Sequence, residues 1–170
     1  MIEIKKTDET NLFEDSFDDF ERLQVVTNVY GLADGKLILV GDPFVMDWPL
    51  ERKREEAREI MNGKYIAYCA YEGDTVVGVL ELVPKLDKER LIIEGIHVSK
   101  DYRHQGIGRK LFELAVEKAH EMDAKSLYAS ACPAEETVDF YLAMGFTVSD
   151  DPIAIYRENE PLDIQMECKL

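Results

Sequence analysis

The segment from Leu91 to Met122 constrains this chain more than any other, because its hydrophobic period changes within it. Leu91–Val98 reads as an apolar strand. Beyond it, Ile107, Leu111, Leu114, Ala115 and Ala119 recur at helical spacing and form one face of a helix running to about Met122. The junction carries Gly106 and Gly108. Glycine lets the backbone come close to a bulky anion, and a helix start offers unpaired N–H donors and a positive dipole end. Lys100, Arg103, Arg109 and Lys110 stand there against Asp101 alone, in a chain with 20 Lys and Arg, 35 Asp and Glu, and a formal net charge of -15. A phosphate or pyrophosphate fits this junction; the plainer reading is a capped helix with surface cations. A P-loop is excluded, because Gly-x-x-x-x-Gly-Lys-Ser/Thr is absent. A dinucleotide fingerprint is excluded too, because Leu111 occupies its third glycine position.

The flanking sequence predicts the elements around that junction. Ile2-Glu3-Ile4 is a short opening strand. From Asp8 to Arg22, the spacing of Leu12, Phe13, Phe17, Phe20 and Leu23 predicts an amphipathic helix with an acidic outer face. Thr27–Val45 reads as mostly loop, with one short strand at Leu37–Val40. Asp47-Trp48-Pro49 opens a helix over Leu50–Met61, with Gly63 past its end. Tyr65–Tyr71 and Thr75–Val83 are strands joined by the hairpin signal Glu72-Gly73-Asp74, and with Leu91–Val98 they make an antiparallel meander. Leu127–Ala131 is a strand, Ala134–Met144 a helix ending at Gly145, and Ile153–Tyr156 and Ile164–Lys169 are strands around the turn Asn159-Glu160-Pro161. At 170 residues this order describes one α/β domain, 1–170, around a central sheet.

Composition narrows the function. A chain this acidic repels nucleic-acid phosphates and anionic lipid and suits cationic partners. Cys69, Cys132 and Cys168 form no paired spacing and point to a reducing cytoplasm, and His97, His104 and His120 are too scattered for a metal site. No run approaches the ~18 apolar residues of a membrane span, and Met1–Thr10 lacks a signal peptide's apolar stretch. A cytoplasmic location is expected, with no membrane, nucleic-acid or metal partner.

Arg103-His104-Gln105-Gly106-Ile107-Gly108 resembles motif A of the GCN5-related N-acetyltransferases, Arg/Gln-x-x-Gly-x-Gly/Ala. Further on, Phe140-Tyr141-Leu142-Ala143-Met144-Gly145-Phe146 resembles that family's Phe-Tyr-x-x-x-Gly-Phe. The resemblance covers roughly residues 64–170. It implies a mixed sheet of six to seven strands with about four helices, 64–170 as the cofactor-binding core and 1–63 as a helical acceptor-side segment. Many members carry an Asn seven residues before the tyrosine; here that position is Ala134.

The resemblance also implies the chemistry: acetyl-CoA as donor, and direct acetyl transfer to an amine. The cofactor-binding residues it implies are Ile96, His97 and Val98 on the splayed strand for the pantetheine arm, then Arg103, His104, Gln105, Gly106, Ile107, Gly108 and Arg109 around the pyrophosphate. Lys100 or Lys110 is the candidate for the remote phosphate. Tyr141 is implied as general acid. Glu94 is the candidate base, its carboxyl expected to rise on desolvation among Ile92, Ile93 and Ile96. His97 alternates to the other side and is not assigned as base, and Cys132 has no nearby activating His. The acceptor is expected to be a small-molecule or peptide amine, and a polycation if acids such as Asp8–Glu21, Asp150, Asp151, Glu158, Glu160 or Asp163 line the cleft. A homodimer through the C-terminal strands is compatible with the family. The alternatives are a catalytically silent acyl-CoA sensor, or an acyltransferase using a longer acyl group or a hydroxyl acceptor.

Overall fold

A computed structural model describes residues 1–170. Its strands are β1 (Ile2–Thr7), β2 (Gln24–Ala33), β3 (Lys36–Met46), β4 (Ile66–Glu72), β5 (Thr75–Leu82), β6 (Arg90–Val98), β7 (Ser126–Ala131), β8 (Thr147–Val148) and β9 (Ile164–Lys169). Its helices are α1 (Leu50–Met61), α2 (Ile107–Glu121), α3 (Glu135–Ala143) and α4 (Ala154–Asn159). Seven strands form one mixed sheet in the order β1-β4-β5-β6-β7-β9-β8, and β2 and β3 form a separate hairpin. The β4-β5-β6 meander is antiparallel as expected, while β6 and β7 run parallel and are joined through α2.

The two sheet faces are covered differently. On one face α2 lies against the sheet, where Ile107, Leu111 and Ala115 meet Ala70, Leu80 and Leu127 in a cluster of 20 buried residues. A Cβ at Gly78 would come within 3.0 Å of Ile107 and 3.3 Å of Leu111, so the missing side chain lets the helix sit close to β5. On the other face a second cluster of 10 buried residues joins Ala57 and Ile60 of α1 to Cys69, Val76 and Val79.

Three expectations fail, each for a local reason. Asp8–Arg22 is not a helix but a series of tight turns. Apart from one i to i+4 bond, Leu12 N to Asp8 O at 3.0 Å, its backbone bonds are separate i to i+3 closures, such as Ser16 N to Phe13 O at 3.0 Å and Phe20 N to Phe17 O at 2.9 Å. Asp and Ser side chains take backbone donors that a helix needs: Thr10 N donates to Asp8 Oδ1 at 2.9 Å and Phe13 N to Ser16 Oγ at 2.9 Å. The helix-like spacing of Leu12, Phe17 and Phe20 reflects burial against the sheet; all three are fully buried. Thr27–Val45 is not a loop but the body of the β2–β3 hairpin, closed by Asp34-Gly35 with φ of 50° and 74°, the residue pair and handedness of a tight two-residue hairpin turn. Pro43 and Gly41 fall where the register shifts, between Val26 and Asn28 on the partner strand. Residues 1–63, expected to be a helical segment, are therefore strand, turns, hairpin and one helix. Ile153–Tyr156 is not a strand: Arg157 N bonds Ile153 O at 3.2 Å and Glu160 N bonds Tyr156 O at 2.8 Å, making the short helix α4.

Candidate active site

The strands β6 and β7 pair from Arg90–Ser126 to Ile93–Ala129 and then part. Beyond that point β6 stays bonded to β5 on its other edge, as far as Val98. From Glu94 to Val98 one edge of β6 therefore opens onto a cleft of about 660 Å³. An open strand edge presents backbone donors and acceptors at regular spacing, which suits an extended amide-bearing chain.

The loop after β6 forms the mouth. Gly106 takes φ 82° at the N-cap of α2, a left-handed conformation that an L side chain rarely adopts, and open space surrounds the missing Cβ. A Cβ at Gly108 would lie 3.2 Å from the Phe140 ring, so glycine lets α3 close on the loop. Arg103 is turned inward: its Nε donates to Val98 O at 2.9 Å and its Nη2 to Arg22 O at 3.1 Å, tying the loop to β6 and to the residue before the hairpin. Arg109 stands exposed at the first turn of α2.

Of the ten residues expected to hold the cofactor, the cleft brings together Ile96, His97, Val98, Arg103, His104, Gly106, Ile107, Gly108 and Arg109. Gln105 lies outside the lining, its side-chain amide bonding Asp101 O at 3.0 Å. Lys100 and Lys110 are likewise exposed and outside it. Ala134 is fully buried, bridges to Val29 of β2 and does not line the cleft, so it offers no side-chain contact there in place of the Asn that the resemblance implies.

Tyr141 and Glu94 both line the cleft. Tyr141 is 6% exposed and packs edge-on against Phe146 at 5.0 Å. Burial, then the negative charges of Asp163 and Glu94, push its hydroxyl well above the ordinary tyrosine range, so it keeps its proton. Glu94 sits at a β-bulge, where the β5–β6 register shifts between Glu81 and Leu82. It is exposed rather than packed among isoleucines, and it accepts hydrogen bonds from Tyr156 at 3.0 Å and Tyr65 at 3.5 Å. The bulge undoes the strict alternation that predicts a desolvated carboxylate here.

Arg22 and Arg52 are cleft residues that carried no signal of their own in the sequence, and they gather around Trp48. Trp48 stacks on Phe20 at 5.7 Å and meets His97 edge-on at 5.0 Å. Arg22 and Arg52 lie over Trp48 at 6.0 and 5.4 Å. His97 is held well below the ordinary histidine range by burial and then by Arg22, Arg52 and Arg103, so the ring is neutral. Behind it, on the same face, Glu81 and Glu56 are 3% and 1% exposed. Arg52 pairs with Glu56 at 2.5 Å, while burial and then Glu56 push the Glu81 carboxyl well above its usual range. Asp163 also faces the cleft; burial and then Glu160 raise its carboxyl to about 6. Cys132 lines the cleft with its thiol raised by burial, the opposite of an activated nucleophile.

The mixed sheet opens between two parallel strands, with a glycine-bearing basic loop at the opening, which is the arrangement the motif resemblance implies for binding acetyl-CoA. The model of the acetyltransferase (GNAT) family matches residues 37–146, and the chain belongs to that family, whose acetyl donor is acetyl-CoA. An uncharacterized N-acetyltransferase in the pepI 3′ region of Lactobacillus delbrueckii subsp. lactis is 26% identical over 115 residues, 64% of this chain and 66% of the relative, just under two thirds of its length. Among solved structures, a Bacillus anthracis protein assigned as a streptothricin acetyltransferase, in complex with acetyl coenzyme A, superposes with a TM-score of 0.77 at 19% identity, covering 100% of this chain and 99% of that one. A nourseothricin acetyltransferase gives 0.74 at 20% identity over 99% and 98% of the two chains. An aminoglycoside 6′-acetyltransferase type Ii gives 0.64 at 21% over 98% and 96%. These likenesses establish the fold. No helix of this chain is long and apolar enough to cross a membrane.

Proposed function

We propose that this protein transfers an acetyl group from acetyl-CoA directly to a primary amine. The single observation carrying this reading is the parting of β6 from β7 onto a cleft also lined by Arg103, Gly106, Gly108 and Arg109. The residues present fit the cofactor: a free strand edge suits its pantetheine amides, and the Gly106 and Gly108 backbone with the first turn of α2 and Arg109 suits its pyrophosphate. When bound, acetyl-CoA supplies the activated acetyl group as a thioester.

The chain's own residues then divide the work. Ile96–Val98 orient the extended arm, with the Val98 carbonyl already fixed by Arg103. Tyr141, protonated and without a hydrogen-bond partner in the protein, holds a proton at its Oη for the leaving sulfur. An amine of ordinary basicity, near pKa ~10.4, arrives mostly protonated. Glu94, an exposed carboxylate at the cleft with two tyrosine hydroxyls fixing its orientation, is the acceptor for that proton, directly or through water. Glu94, Glu160 and Asp163 all face the cavity and favour a cationic group there; the Asp8–Glu21 acids do not line it.

A thiol-release assay with acetyl-CoA and a panel of primary amines tests this. Amine-dependent release, lost in Tyr141→Phe, is the expected outcome. Tight acetyl-CoA binding with no release for any amine would instead favour a silent acyl-CoA-binding module.

A further inference from the structure

The acidic residues at the cleft account for the amine but leave Arg22, buried, without an ion-pair partner; Asp47 and Glu56 act on it only from beyond ion-pair distance. Arg22 is 7% exposed. Its Nη1 donates to the neutral Gln24 Oε1 at 3.0 Å, and its Nε is buried without any hydrogen-bond partner. The arginines that form ion pairs are Arg52, Arg54, Arg58 and Arg90; Arg22 is not among them. A buried guanidinium without a carboxylate is costly, so such a group marks a place where another molecule brings the negative charge.

Its side chain lies on the other face of the sheet from the helix turn proposed for the pyrophosphate, although Arg103 of that loop bonds its backbone. Arg22 lies over Trp48, and Trp48 packs on His97. His97 pairs in register with Val79, which is buried in the α1-side cluster, whereas neighbouring Gly78 faces α2. Arg22, Trp48 and His97 are therefore on the α1 face of the sheet, and the Gly106–Arg109 turn starts α2 on the opposite face. The Arg22 backbone is itself fixed, because its carbonyl accepts from Arg103. Arg52, the other guanidinium over Trp48, already has Glu56.

We infer that the acceptor carries a carboxylate or comparable anion in addition to its amine, that Arg22 binds it against Trp48, and that the substrate class is amino-acid-like rather than a pure polycation. The inference rests on the acetyltransferase reading and sharpens it. A polyamine would satisfy Glu94, Glu160 and Asp163 and leave Arg22 unpaired. A zwitterion satisfies both ends of one cavity.

The test is calorimetric, on protein saturated with CoA, so that cofactor phosphates are already in place. The probes are matched pairs differing by a carboxylate: lysine against cadaverine, ornithine against putrescine, phenylalanine against phenethylamine. At least one amino acid binds tenfold or more tightly than its decarboxylated partner, and Arg22→Met abolishes that preference. Equal or weaker binding of the amino acid in every pair, or no binding of any amino acid, overturns the inference. A carboxylate effect seen only without CoA overturns it as well, since Arg22 would then serve the cofactor. Failure of CoA itself to bind is a separate result and sinks the parent reading. A second readout guards against a purely structural role: without ligand, Arg22→Met melts at the wild-type temperature or above it, because an unpaired buried charge is removed. A marked fall in melting temperature contradicts the assignment.

Discussion

Replacing Tyr141 by phenylalanine separates catalysis from folding in this protein. The ring is 6% exposed and held by Phe140 and Phe146 at centroid distances of 5.5 and 5.0 Å, contacts that phenylalanine keeps. The hydroxyl has no hydrogen-bond partner in the protein, so deleting it leaves no orphan behind. Stability should change by no more than about 0.5 kcal/mol. Loss of a positioned proton donor lowers the rate by ~10²–10⁴-fold, which is about 2.7–5.4 kcal/mol of barrier. Thiol release under saturating acetyl-CoA measures kcat, and calorimetry measures cofactor affinity, which should be unchanged. Because burial and the nearby Asp163 and Glu94 raise the hydroxyl above its ordinary value, wild-type kcat should show no tyrosine-linked loss up to pH ~9. A variant with undiminished kcat would refute the role of Tyr141, and one whose affinity falls in step with its rate would show that the ring serves binding instead.

Gly106→Ala forces a side chain into φ 82°, costing about 1–2 kcal/mol, a drop in Tm of roughly 2–8 °C, with weaker acetyl-CoA binding; an unchanged melt and affinity would remove the glycine from the argument. Asp163 titrates at about 6 when folded, raised by burial and then by Glu160. Its contribution to stability is fully present below the usual Asp value near ~3.9 and is lost as pH rises through about 6. Asp163→Asn should therefore raise Tm relative to wild type at pH ~8 more than at pH ~4, and a pH-independent difference would contradict the shift.

Residues 64–146 were legible in the sequence because each element there agrees with its own local rules. The Leu91–Val98 strand, the two glycines and the helix face of Leu111 and Ala115 point to the same strand–loop–helix unit that the fold contains. Residues 8–45 were not, because tertiary contacts override their local pattern. Leu12, Phe17 and Phe20 mimic a helix while a series of turns lays them on the sheet. Gly31, Gly35, Gly41 and Pro43 suggest a loop, although Asp34-Gly35 is the turn of a long hairpin. Arg22 has no sequence motif at all. It becomes a candidate only when the chain brings it over Trp48 and leaves its Nε buried and alone.

Calorimetric titration of the protein with acetyl-CoA at low and moderate salt tests the central claim most directly. Saturable binding that weakens as salt rises is the predicted result if, as proposed, Arg109 and the helix dipole meet the pyrophosphate electrostatically. No binding in either buffer would contradict the account of the cleft between β6 and β7 as the acetyl-CoA site.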